Sequence, residues 1–172
     1  MTLTFVILVV AAVVLGALIV KRGSPTQQKE TTEEASDWTM FDWVNQSGEK
    51  IILQSRDKKP GDVSDGFETA VVIKWRYGMD GLPDQETMHS IYQFEDVIEE
   101  VRKDKTGIHV HTLTGNGIRE WCYYTANFAE FNSRFNALVS SLPIMPIEIS
   151  YQTDSGWDYW KKLKSNVQSH GA

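Results

Sequence analysis

The chain has 172 residues, 41% hydrophobic and 11% aromatic, with a formal net charge of −6, which is room for one domain and a composition able to fold. Beyond Arg22 lie all 23 acidic residues against 15 basic ones, a net charge of −8 that repels a nucleic-acid backbone. The lone Cys122 excludes an internal disulfide and the four-cysteine zinc frameworks.

Residues 3–20, with Leu3 and Val20 as ends, read LTFVILVVAAVVLGALIV and carry no charge. As a helix this stretch reaches about 27 Å, close to the hydrocarbon thickness of a bilayer, and predicts a transmembrane anchor over 1–22. Met1 and Thr2 supply no basic side chain, and Leu15 stands where signal cleavage wants a small residue, so an anchor is favoured over a cleaved signal. Lys21, Arg22 and Lys29 follow the span, which places the remaining chain on the cytoplasmic side of a bacterial inner membrane. Residues 23–37 are polar and aperiodic, as suits a flexible linker.

The folded domain is expected over 38–172. Runs at 40–44 and 50–54 flank Asn45-Gln46-Ser47-Gly48 and predict a hairpin. A strand follows at 69–77, rich in branched and aromatic side chains. Pro83 and Asp84 open a helix whose apolar stripe holds Met88, Ile91, Tyr92, Val97, Ile98 and Val101, with an acidic opposite face. Strands at 108–114 and 118–125 bracket Asn116-Gly117, a strong hairpin signal. Asn127 opens a second helix with Phe128, Phe131, Phe135, Leu138 and Leu142 at helical spacing. A strand at 147–152 and an amphipathic helix at 157–167 complete the chain. From residue 69 the order is that of a ferredoxin-like βαββαβ unit, so the fold class is α+β, an antiparallel sheet with an extra N-terminal hairpin.

If Gly115 pairs with Ile118 across a two-residue turn, His111 faces Cys122 and His109 faces Tyr124. His109, His111 and Cys122 then share one face with Glu120, an arrangement able in principle to hold zinc. The plainer reading, outward strand residues and a packed cysteine, outweighs it, and no metal or cofactor is assigned. Arg119, Glu120 and Trp121 offer a guanidinium, a carboxylate and an indole in sequence, and with Lys74, Arg76 and Tyr124 they form the expected interaction surface. Glu95, Asp96, Glu99 and Glu100 read as a solvated helix face. There is no phosphate-cradling glycine loop, nucleophile elbow or zinc-protease helix motif, so no small-molecule substrate is indicated.

Asp80-Gly81-Leu82-Pro83, Phe94-Glu95-Asp96, the run from Gly115-Asn116-Gly117 through Trp121-Cys122-Tyr123-Tyr124, and Asp158-Tyr159-Trp160 together make residues 75–160 resemble domain-of-unknown-function family 695. The resemblance implies a fold and supplies no catalytic residue. That family is similar in turn to the regulator of ribonuclease activity B, an inhibitor with a ferredoxin-like arrangement that binds a membrane-associated RNA-degrading enzyme. These readings converge on a membrane-anchored, non-enzymatic module that binds or regulates another protein at the bilayer. The alternatives are a metal-dependent enzyme built on His109, His111 and Cys122, and an immunity-type inhibitor of a toxin.

Overall fold

The structure, a computed structural model, describes residues 3–6, 37–57, 59, 61 and 65–170. It is a mixed α+β fold whose strands are β1 (Leu3–Val6), β2 (Trp38–Val44), β3 (Lys50–Arg56), β4 (Thr69–Arg76), β5 (Ile108–Gly115), β6 (Ile118–Thr125) and β7 (Ile147–Thr153). Its helices are α1 (Gln85–Lys103), α2 (Phe128–Val139) and α3 (Asp158–His170). Six strands, in the order β7-β4-β6-β5-β3-β2, form an antiparallel sheet, and β1 adds a seventh at the β7 edge.

Local chemistry accounts for the elements. Asn45 Oδ1 accepts from the backbone N–H of Ser47 and Glu49, both at 2.9 Å, and closes the β2–β3 turn with Gly48 at φ 83°. Asn116 and Gly117, at φ 54° and 70°, make the turn between β5 and β6, matching the strand twist as a type I′ turn does. Just before it, Gly115 sits at φ 135° where an added Cβ would lie 2.6 Å from the Lys50 carbonyl oxygen, so only glycine fits. Asp84 caps α1 by accepting from Thr87 N–H at 2.8 Å, and Asn127 caps α2 through Ala129 and Glu130 N–H.

Period-2 alternation gives the sheet two buried faces. On the first, Val71, Ile73, Trp75, Trp121, Tyr123, Ile147 and Ile149 meet Ile91, Phe94, Ile98 and Val101 of α1 and Phe131, Phe135 and Val139 of α2. Each such fully buried side chain contributes about 1.5–3 kcal/mol. On the second, Ala70, Val72, Val110, Cys122 and Tyr124 meet Trp157 and Trp160 at α3. The helices α1 and α2 cover β7, β4 and β6, whereas the β2–β3 hairpin reaches past α1 and leaves Met40 and Val44 each 65% exposed.

At Leu3–Val6 the backbone is an edge strand, with Phe5 opposite Ile149, where the sequence predicts the start of a helix. The Thr-Phe-Val composition of these residues favours extended pairing, and the β7 edge supplies a ladder for them. The rest of the expected span, 7–20, and the linker at 23–36 lie outside the described residues. Among the described residues no helix is long and apolar enough to cross a membrane.

Candidate binding groove

The residues expected to share one surface are divided between the two faces. Arg119 and Trp121 point toward α1, and Trp121 is 1% exposed, part of the core. Glu120 and Tyr124 point toward α3 and are buried, so neither is open to a partner. Lys74 lies opposite Glu120 and pairs with it at 3.1 Å, while the exposed Arg76 pairs with Glu148 at 3.1 Å. Strand alternation thus divides the six expected residues between the faces, with Glu120, Trp121 and Tyr124 buried under the helices and Arg76 exposed.

The two histidines are likewise divided between the faces. His111 faces Cys122 as the turn predicts, but a bulge between His109 and His111 sets His109 opposite Tyr123 rather than Tyr124. The extra residue reverses the phase of the strand, so the two imidazoles project from opposite faces. His109 stacks on Tyr123 with ring centroids 4.8 Å apart, and His111 stacks on Tyr159 at 5.9 Å beneath α3. The shared-face arrangement behind the metal reading is thus lost. Among the described residues no three His, Cys, Asp or Glu side chains are placed to hold a metal ion.

Beneath α3, Glu120 Oε1 lies 3.2 Å from His111 Nε2 and accepts from the Tyr159 hydroxyl at 2.9 Å. Burial pushes the Glu120 carboxyl up, but His111, Lys74 and Tyr159 together bring it below its ordinary value. Burial pushes the Cys122 thiol far up, with the charges of Glu120 and Asp154 adding to it, which makes the thiol inert. Next to this network Tyr124 donates to Asp154 Oδ2 at 2.6 Å, and Asp154 accepts from Asp158 and Tyr159 N–H at the start of α3. Trp157, at φ 57°, is held there by its indole bond to the Phe67 carbonyl and its stack on Tyr124 at 3.9 Å. This side of the sheet is a docking seat for α3.

The open feature lies on the other face, between α1 and the overhanging β2–β3 hairpin. One cavity of about 200 Å³ is lined by Gln54, Glu99, His109, Thr112 and Tyr123. Another of about 410 Å³ runs toward Met40, Ile52, Leu82, Met88 and Tyr92. Both share Gln54, Glu95, Thr112 and Arg119 and form one groove. At its centre Glu95 Oε1 accepts from Arg119 Nη2 at 2.5 Å, Arg119 Nε at 3.1 Å and Trp121 Nε1 at 2.7 Å, while Arg119 Nη1 donates to Thr114. Glu95, read from sequence as part of a solvated helix face, is instead the hub of the groove. At one end Trp38 packs 5.1 Å from His109 with the Arg56 guanidinium over its ring. At the other, Leu82, Tyr92 and Met40 are 38%, 56% and 65% exposed.

His109 is held down to about 3 by burial, with the neighbouring His111 ring and the Arg56 and Arg119 guanidiniums adding to it against its bond to the His111 carbonyl. That carbonyl, 2.9 Å from Nε2, can only accept, so Nε2 carries the proton and the ring is neutral at pH 7. A neutral imidazole and a guanidinium compensated by Glu95 line the groove, together able to offer hydrogen bonds and apolar contact. Sequence reasoning missed Met40, Leu82 and Gln54 as groove residues, and placed Tyr92 in the buried stripe.

No curated protein matches this chain. The model of a family of unknown function, DUF695, matches residues 31–163, so the β2–β3 hairpin is part of the family's unit rather than an addition to it. The chain belongs to the DUF695 family.

Proposed function

We propose that the chain is a membrane-anchored, non-enzymatic module that binds another protein through the groove between α1 and the β2–β3 hairpin. The observation that carries this reading is the exposed rim of Met40, Leu82 and Tyr92 around a prearranged Glu95–Arg119–Trp121 centre. Large apolar side chains left exposed beside fixed polar groups are the composition of a recognition surface, with a partner's apolar side chain seated between Tyr92 and Met40. The pairing order β7-β4-β6-β5, with α1 and α2 as crossovers, supports a ferredoxin-like classification.

The anchor reading rests on the uncharged sequence 3–20 and on Lys21 and Arg22 behind it. It requires Leu3–Val6 to leave the β7 edge when the span inserts, which exchanges a four-residue edge pairing for burial in lipid. The domain then faces the cytoplasm, and its partner lies near the bilayer. A reporter fused after Ala172 tests the orientation; periplasmic phosphatase activity there reverses it.

A photo-crosslinking residue placed at Tyr92, Met40 or Ile144 of the full chain in native membranes tests the groove. Ile144 is an exposed apolar residue outside it, 54% accessible. One defined adduct from Tyr92 and Met40, absent from Ile144 and lost on Leu82→Asp, is expected. Equal labelling at all three positions, or none at any, overturns the proposal.

A further inference from the structure

Among the described residues β2 pairs only with β3 and ends the sheet. The Asp57 N–H bonds the Asp37 carbonyl at 2.7 Å, and the Asn45 N–H bonds the Glu49 carbonyl at 2.8 Å. Odd-numbered residues of β2 therefore form the hydrogen-bonded pairs with β3. The N–H and C=O groups of Trp38, Met40, Asp42 and Val44 face away from the sheet. Free edges are ordinarily guarded by proline, lysine or an uncompensated charge. β2 has no proline or lysine, and its one charge, Asp42, is paired with Lys50 across the hairpin at 2.7 Å.

We propose that this edge pairs antiparallel with the same edge of a second copy, across a two-fold axis at Phe41, continuing the sheet from one molecule into the next. The register follows from the strand. Only the alignment centred on Phe41 uses all of Trp38–Val44 on both copies, setting Met40 opposite Asp42, Trp38 opposite Val44, Thr39 opposite Trp43 and Phe41 opposite itself. The outward-facing residues are then the hydrogen-bonded pairs, and Phe41 forms the close, non-hydrogen-bonded pair on the axis. Shifting the centre to Asp42 places two carboxylates face to face, and shifting it to Met40 leaves Trp43 and Val44 without partners. Such an interface is isologous, so it closes as a dimer. It occupies the outward backbone groups of Trp38, Met40, Asp42 and Val44, leaves the Met40 side chain on the sheet face at the groove rim, and sets the two grooves side by side. The pairing rests on the sheet edge alone and stands or falls apart from the groove reading.

Disulfide trapping of the full chain in detergent micelles tests it. Across a non-hydrogen-bonded pair the Cα atoms are about 4.5 Å apart, within disulfide range. Phe41→Cys is expected to give a covalent dimer under mild oxidation, whereas Trp43→Cys alone does not and Trp43→Cys mixed with Thr39→Cys does. Met40→Pro removes an outward N–H while leaving the bonds to β3, and is expected to weaken self-association of the otherwise unmodified chain by at least about tenfold. Circular dichroism of that variant checks that the sheet persists. Phe41→Cys remaining monomeric, trapping through Trp43 alone, self-association unaffected by Met40→Pro in a folded variant, or Phe41→Cys trapping a different protein in place of a second copy each overturns the proposal.

Discussion

The indole N–H of Trp121 donates to the Glu95 carboxylate at 2.7 Å, joining the middle strand of the sheet to the middle of α1. The same oxygen carries Arg119, whose side chain is only 13% exposed. Replacing Glu95 with alanine leaves a largely buried guanidinium and an indole without their acceptor. Hydrogen bonds to charged groups are worth about 1.5–3 kcal/mol, so a loss of stability of that order is expected on denaturant unfolding of Glu95→Ala. Gln at the same position should recover part of it by keeping an acceptor.

Acidification should destabilise the fold in two phases. His109 is held at about 3 in the folded state against 6.5 when free, so the unfolded chain takes up the proton first. Its contribution is complete above about pH 6.5 and falls away as the pH drops toward 3. Glu120 is held below 4.5, so its contribution is present above that pH and is lost as the pH falls through its lower folded value. Denaturant midpoints measured against pH should show the earlier decline removed by His109→Phe and the later one reduced by Glu120→Gln.

Asp154 caps α3 and also accepts the buried Tyr124 hydroxyl. Asp154→Ala removes a cap worth about 0.5–2 kcal/mol and strands that hydroxyl, at a further cost of about 1–3 kcal/mol. Hydrogen exchange should quicken first in α3 and hardly change in α1. Tyr124→Phe, which deletes the donor as well, should be milder.

Cys122 is fully buried, and its thiol is pushed well above the ordinary range. Iodoacetamide is expected to leave it unlabelled in the folded chain and to label it stoichiometrically in denaturant. Labelling in buffer at a rate near that of a free thiol would contradict the packing of α3 on the sheet.

The elements were legible because their signals are local. Asn116-Gly117 dictates its turn, Asp84 and Asn127 cap their helices, and the aromatic spacing of α2 marks its buried side. The bulge before His111 was not, because it is selected by what packs on the two faces rather than by its own residues. Tyr92 and Phe94 show the same limit on a helix: Phe94 is fully buried and Tyr92 is 56% exposed, although Tyr92 fits the stripe, since the hairpin overhang leaves its side of α1 open. Glu95 finds Arg119 and Trp121 only after the chain folds, and nothing in its own neighbourhood marks it apart from Asp96 or Glu99. What the sequence withheld is how the sheet is shared between its helices.

The reversal of phase in β5 gives this protein a built-in pair of spectroscopic probes. His109 and His111 are two residues apart, yet one ring lines the groove and the other lies under α3. Nitrogen resonances of the two imidazoles should therefore report separately, on occupancy of the groove and on seating of the C-terminal helix, within a single unlabelled-by-mutation chain. An effect passing from one side of the sheet to the other becomes observable as the second ring responding to an event at the first.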